Sequence, residues 1–317
     1  MKPKFKILRL RSANYPTENP SVFGYMRFSY LGQSDARLSR LVKGQQKFDL
    51  LYDADRMEQR FYVFENITLP SLKAQLCTDF RMHILLSNTM PEVYKRRLHA
   101  LVSNVPQIEL VFSNAPTAND AFALLVQKNV ADTSERTVHF RMDDDDALSN
   151  QTIHQLKKSI RYAPDNALIT TPRGMLLMKR NNEVHLMRKF EQHIAIGWAL
   201  VNRPGQVRNP YQFRHRNYYE RVPSVTLPHF SSYIHSCYES CDTQPAQDRK
   251  LLAAQNMDKN HATARGIEDI SAAIEKDFPW TNRNKLIQIF ADMPPGRKTA
   301  IWMEDGFDIV PDTAQVA

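Results

Sequence analysis

A chain of 317 residues, 42% hydrophobic and 24% charged, has the composition of an ordinary globular protein and the length for one large domain. No apolar run approaches the roughly 20 residues that span a bilayer, and the basic residues 1–6, followed only by a short apolar patch at 7–10, do not read as a signal peptide. The formal charge of +8 suits an anionic substrate or an acidic membrane face. Its Lys and Arg residues are scattered, with modest clusters at 95–97 and 214–216, so nucleic acid is not an expected partner.

In chain order, residues 1–21 read as an N-terminal arm, and 22–32, rich in aromatics and bounded by turn residues, as the first buried strand. Residues 35–53 are polar and weakly periodic, which predicts a long surface excursion. Between 56 and 75 the apolar positions Phe61, Phe64, Ile67, Leu69 and Leu72 recur near helical spacing, and Pro70 is expected to divide the run into two short helices. A second strand follows at 80–87, a helix from Pro91 to Leu101, a third strand at 108–112, a helix at 119–130, and a strand-like run from Arg136. This alternation predicts an α/β fold with a mainly parallel sheet flanked by helices. After Tyr162 the pattern changes to short strands at 167–171, 174–178 and 184–187, with Asn181-Asn182 as a hairpin turn, and a further apolar run at 195–201. An aromatic, basic, His-rich stretch spans 207–230, and helices are expected at 246–255 and 267–293. No repeat or interdomain linker divides the chain, so 163–317 reads as an extension of the domain begun at 22–162. Three cysteines, Cys77, Cys237 and Cys241, support neither a disulfide framework nor a closed zinc site, which favours a reducing cytoplasm.

The chemistry is concentrated where the strand-like run from Arg136 ends in Asp143-Asp144-Asp145-Asp146. Adjacent carboxylates raise one another's cost of ionisation, and a hard divalent cation such as Mg²⁺ or Mn²⁺ answers it while leaving positions open for phosphate. The alternative is a solvated acidic turn at the start of the helix expected at 150–162. Ligands of parallel α/β sheets bind at the carboxyl ends of strands, which favours the metal reading.

The ordered set Gly24-Tyr25-Met26-Arg27-Phe28-Ser29, the 60–75 segment, Arg141-Met142-Asp143-Asp144-Asp145-Asp146-Ala147 and Thr171-Pro172-Arg173-Gly174 resembles the bacterial rhamnosyltransferase-like family of GT-A glycosyltransferases over roughly residues 22–236. Phe140-Arg141-Met142-Asp143-Asp144-Asp145-Asp146 is similar to the strand-terminal D-x-D motif of that fold. The resemblance implies a GT-A-like sheet and transfer of a sugar from a nucleotide-diphosphate donor to a glycan or other hydroxyl acceptor in surface polysaccharide synthesis, on the cytoplasmic side and at most peripherally on the inner membrane. Residues 22–162 would hold the donor and 163–317 the acceptor. It implies that Asp145 binds the divalent ion, Mn²⁺ or Mg²⁺, directly, and that Asp143, also a metal candidate, faces the ribose or the ion's water shell, with Asp144 and Asp146 supporting them. Where many relatives carry an Asp-rich turn after the second strand, this chain has Ser87-Asn88-Thr89-Met90, which leaves the donor nucleotide open.

Other candidates follow from placement. Arg27 near the end of the first strand and Arg141 beside the acidic run are expected at the nucleotide, Arg173 as a phosphate clamp, and His215 at diphosphate or metal. His235 is a further metal ligand candidate. For a general base on the acceptor side the choices are Glu191 and Asp248, the latter equally readable as a helix N-cap. Arg214 to Arg221, with Tyr218 and Tyr219, reads either as a stacking wall for donor or acceptor or as packing against the sheet with its charges in water. Asp145→Ala is expected to remove activity and leave the fold intact. The competing functional class is a catalytically silent protein that binds an anionic glycan or nucleic acid through its basic surface.

Overall fold

Strand β1 (Val22–Arg27) is buried along nearly its whole length, as a central strand covered on both faces must be. It pairs in parallel with β2 (Arg81–Ser87) and with β4 (Thr137–Arg141), and β2 pairs in parallel with β3 (Ile108–Ser113). The computed structural model describes residues 20–33, 42–131, 133–180, 182–215, 217–238, 241 and 269–296. Beyond β4 lie β9 (Ala199–Asn202), antiparallel to both of its neighbours, then β6 (Leu168–Thr170) and β10 (Ser224–Thr226), which pair in parallel. The result is a seven-stranded sheet in the order β10-β6-β9-β4-β1-β2-β3. The architecture is mixed α/β with a mostly parallel sheet, and β9 is its one reversed strand among the described residues.

A second, four-stranded sheet has the order β5-β11-β7-β8. Its strands are β5 (Ala147–Leu148), β7 (Arg173–Arg180), β8 (Glu183–Phe190) and β11 (Tyr233–Cys237). The β7–β8 hairpin turns near Asn182, whose φ of 64° is one that Asn tolerates. The acidic run therefore joins two sheets. It leaves the large one at the carboxyl end of β4 and enters the small one at β5, before α6 (Thr152–Ser159) and its 3₁₀ extension Ile160–Tyr162. A short strand stands where the sequence suggested that the helix followed at once.

The helical path between β1 and β2 departs from expectation. Helix α2 (Ala54–Val63) runs without a break into a π-helical turn (Phe64–Thr68) and then α3 (Leu69–Lys73). Pro70 lies in the first turn of α3, where its missing N–H removes no necessary bond, and the wider turn before it makes room for the ring. Met57, Phe61 and Phe64 from this path pack into the core beneath the large sheet, while Val63 and Ile67 pack into the core of the small sheet. The path is wedged between both sheets.

Within the stretch read as a surface excursion, α1 (Gly44–Leu51) forms a helix, and Leu50 and Leu51 enter the core. Helices α4 (Glu92–Val102) and α5 (Ala118–Val130) lie where periodicity put them. The closing helix expected at 267–293 is two, α7 (Ile270–Asp277) and α8 (Arg283–Ala291), interrupted at Pro279, with Asn282 capping the second. The 1–19 arm and the 246–255 helix lie outside the described residues. No helix among the described residues is long and apolar enough to cross a membrane.

Candidate functional site at the carboxyl end of the fourth strand

Two backbone bonds fix the end of β4: the Arg141 N–H donates to Trp198 O (3.1 Å), and the Gly197 N–H donates to Arg141 O (2.9 Å). Gly197 has a φ of 73°, a conformation that costs a β-branched or bulky residue heavily. The Met142 N–H reaches Tyr25 O (3.2 Å), and the chain turns so that the Asp146 N–H approaches Asp143 O (3.4 Å). The four aspartates line one cleft of about 100 Å³, together with Arg27, Ser29, Arg56, Arg60, His235 and Ser236.

The aspartates are not equivalent. Asp144 is 1% exposed, Asp146 3% and Asp145 8%; only Asp143 keeps a substantially exposed carboxylate, 3.5 Å from Arg141 Nη2. Asp146 Oδ1 accepts from the Ser236 N–H on β11 (3.0 Å). Asp144 is gripped by Arg60, with Nε donating to Oδ2 (3.1 Å) and Nη2 lying 2.9 Å from Oδ1. Arg60 Nη1 donates to Asp145 Oδ2 (2.9 Å). Tyr238 Oη donates to the same oxygen (3.1 Å). Thr68, in the π-helical turn, donates to Asp144 O (3.0 Å).

These surroundings separate the four acids. Burial pushes Asp145 up to about 7, with Asp144 and Asp143 adding to the rise against Arg60. Burial, then Asp145 and Asp143, drives Asp146 well above the usual carboxylate range. Burial alone would raise Asp143 too, but Arg141, Arg27, Arg60 and His215 outweigh it and hold that carboxylate low. The ionised, accessible member of the run is therefore Asp143.

Beside it stands a basic-aromatic cluster. The guanidiniums of Arg141 and Arg27 lie 4.4 and 5.0 Å from the centroid of the Tyr211 ring, within cation–π range. His215 approaches His193 O through Nδ1 (2.5 Å). In the 214–221 stretch Tyr218 stacks on Phe213 at 3.9 Å and packs toward buried Trp198, as the packing alternative expects, while Tyr219, 43% exposed, stacks flat on His193 at 4.1 Å.

Arg27, Arg141, Asp143, Asp144, Asp145 and His215 thus converge as the sequence suggested. His235 lines the cleft too, but its Nδ1 meets Lys189 Nζ and its Nε2 meets Cys237 Sγ (3.6 Å), which leaves it badly placed to complete a metal sphere. Glu191 is paired with Lys189 (2.8 Å) and is not among the residues lining the cleft. Arg173 is exposed at the start of β7 and is not among the residues lining this cleft; beside it, Thr171 O and Pro172 O accept from Ser232 Oγ and Tyr233 Oη. Asp248 lies outside the described residues. Asp145 shares Arg60 with Asp144, so Asp145→Ala would also remove one of the contacts of this buried guanidinium.

Sequence reasoning missed Arg60, Arg56, Tyr211, Tyr238 and Ser236. A signal existed for Arg60: with Arg56 one turn earlier, it falls on the face marked by Met57, Phe61 and Phe64, where cations among buried apolar residues imply buried partners.

Over residues 21–250 the sequence matches the model of the family described as "Putative rhamnosyl transferase". The chain belongs to that family. Family membership makes it a glycosyltransferase by class. Comparison with curated proteins returns no match. Solved structures that align include TarS 1-349 from S. aureus (TM-score 0.39, 9% identity, 68% of this chain and 60% of that one). They also include a putative nucleotide-diphospho-sugar transferase from Desulfovibrio desulfuricans G20 (TM-score 0.38, 12% identity, 85% and 97%). A third is the mannosyltransferase PcManGT from Pyrobaculum calidifontis, solved with GDP-Man and Mn²⁺ (TM-score 0.40, 9% identity, 86% and 69%). These likenesses are too loose to transfer any residue's role.

The residues present suit a hard cation of the Mg²⁺ or Mn²⁺ kind. Asp143 and Asp145 offer carboxylate oxygens on the cleft wall, and Ser236 Oγ is buried there with no hydrogen-bond partner. Among the described residues no group of three or more His, Cys, Asp or Glu side chains converges as a ready cage, so such an ion would draw further ligands from water and phosphate oxygens, as Mg²⁺ commonly does.

Proposed function

We propose that the chain transfers a sugar from a nucleoside-diphosphate donor to a hydroxyl of a glycan or similar acceptor, with a divalent metal ion at residues 143–146. The observation that carries the reading is the pairing, in one strand-end cleft, of an accessible ionised carboxylate, Asp143, with Arg27 and Arg141 over a single aromatic ring. A diphosphate needs cations and a metal ion needs carboxylates; the cleft presents both within one small volume.

In this reading Arg27, Arg141 and Tyr211 hold the nucleotide and its phosphates, bidentate guanidinium contacts fixing the oxygens. Asp143 and Asp145 hold the ion, which when bound neutralises charge on the departing diphosphate. Arg60 and Tyr238 keep the acidic turn in one shape, so little reorganisation accompanies the reaction. The Tyr219–His193 stack offers an apolar ring face for a sugar on the acceptor side, which residues 163–317 would supply. The setting is the cytoplasmic side of the inner membrane, in surface polysaccharide synthesis.

Thermal unfolding with nucleoside diphosphates, Mn²⁺, or both tests the binding part. Stabilisation that requires both together supports the reading. A salt-sensitive gain with polyanions alone would favour a silent binding protein.

A further inference from the structure

The turn after the first strand holds a strained serine. Ser29, two residues past β1, has a φ of 46°, in the left-handed region that glycine alone enters without steric cost. Its neighbours pin it there: the Phe28 N–H donates to Leu85 O on β2 (3.0 Å), and the Leu31 N–H donates to Ser87 Oγ (2.6 Å). Strain of this kind persists only where the surroundings impose it, and it gathers at functional sites. Ser29 is buried and lines the catalytic cleft.

Glycine would take this φ without penalty; what serine adds is a hydroxyl. Ser29 Oγ accepts from Arg56 Nη1 (3.0 Å), and the same nitrogen donates to Leu51 O (2.7 Å). Leu51 ends α1, where the helix dipole favours a cation. Arg56 is likewise buried and likewise lines the cleft. It stands one turn before Arg60 on α2, so both guanidiniums leave the same face of that helix. Arg60 meets the acidic turn after β4, and Arg56 meets the turn after β1. One helix therefore ties together two turns that line the same cleft.

We propose that Arg56 is a third guanidinium of the donor site, binding the nucleoside diphosphate together with Arg27 and Arg141, and that Ser29 is its positioning residue. The inference rests on the reading of this cleft as a donor site. A planar guanidinium matches phosphate oxygens two at a time, provided that its plane is set. Ser29 Oγ and Leu51 O set it before the ligand arrives, and a side chain ordered in advance loses less entropy on binding. The hydroxyl that orients Arg56 also gives the strained turn its purpose.

Calorimetric titration of the full chain with UDP, GDP and dTDP in the presence of Mn²⁺ tests it. Arg56→Met should weaken nucleoside-diphosphate binding by about 10- to 100-fold and Ser29→Ala by about 2- to 10-fold, the ranges for losing a bond to a charged group and an ordinary one. Because Ser29 acts through Arg56, Ser29→Ala should cost nothing further in the Arg56→Met background; a residue that merely supported the fold would add its own loss. Two more variants separate binding from folding. Ser29→Gly relieves the backbone strain, so it should unfold at a higher temperature than Ser29→Ala while binding the diphosphate as weakly. Arg56→Lys keeps a buried cation without the planar fork and should still weaken binding by about tenfold. Full affinity in both Arg56 variants, or losses that add in the double variant, overturns the proposal while the donor reading stands. Wild-type protein that binds none of the three diphosphates contradicts the donor reading itself, and the proposal with it.

Discussion

Arg60 and Asp144 form a forked ion pair, Nη2 to Oδ1 at 2.9 Å and Nε to Oδ2 at 3.1 Å, with the side chains only 8% and 1% exposed. The same guanidinium reaches Asp145. One cation from the helix wedged between the two sheets thus pairs with two of the four carboxylates of the acidic run. Removing one member of a buried pair strands the other and costs roughly 3–5 kcal/mol. Arg60→Met should therefore lower unfolding free energy by about that amount. Arg60→Lys should rescue little, since an ammonium cannot make the fork. Urea denaturation of the three proteins measures both.

Asp145→Asn keeps the shape of the side chain but removes the carboxylate that Arg60 and Tyr238 address. Its amide oxygen can still accept from Arg60 and Tyr238, and it spares the cost of ionising an acid that burial pushes up to about 7, so donor turnover should be lost while stability at pH 7 changes little. Chemical denaturation beside a donor-hydrolysis assay separates the two effects, and a clear loss of stability would show that folding needs the ionised carboxylate.

Much of this was legible beforehand, and for definite reasons. The parallel strands β1 to β4 are short buried apolar runs separated by amphipathic helices, a pattern that local periodicity carries. The place of residues 143–146 at a strand end followed from the abrupt change from apolar to acidic. Pairing across long separations was not legible: Arg60 and Asp144 are 84 positions apart, and no local rule brings Tyr211 between Arg27 and Arg141. Pro70 misled because its effect depends on the turn before it, and the π-helical turn is a tertiary accommodation. Part of the 171–174 motif is owed to packing, as Gly174 illustrates.

Gly174 lies against the fully buried Tyr233 ring, and a Cβ there would come within 2.5 Å of its carbons. A ring enclosed on all sides cannot retreat, so Gly174→Ala should destabilise by roughly 1–3 kcal/mol. Guanidinium unfolding midpoints at an unchanged slope report it.

His139 is fully buried between the Tyr25 hydroxyl at Nδ1 and the Thr137 hydroxyl at Nε2, each at 2.7 Å. Burial, with Arg208 and His83 adding to it, lowers its pKa to about 3. The unfolded chain gains a proton below about 6.5 that the folded protein refuses, so stability is full above that pH and falls as pH drops toward 3, by about 2 kcal/mol at pH 5. Asp145, raised to about 7, slopes the other way, its stabilisation being complete below about 3.8 and lost as pH rises through 7. Comparing wild type with His139→Gln cancels that background, and the variant's stability should fall about 2 kcal/mol less between pH 7 and pH 5.

Tyr211 faces two guanidiniums. Tyr211→Leu should weaken nucleoside-diphosphate binding by roughly 2- to 30-fold, the range of a cation–π contact, and Tyr211→Phe should retain it. Calorimetric titration distinguishes them.

The most direct test of the central claim is release of nucleoside diphosphate from a panel of UDP-, GDP- and dTDP-sugars in the presence of Mn²⁺. The account predicts slow release from at least one donor, abolished by a chelator and by Asp143→Ala while that variant stays folded. Release that continues unchanged in excess chelator, or no release from any donor, would contradict it.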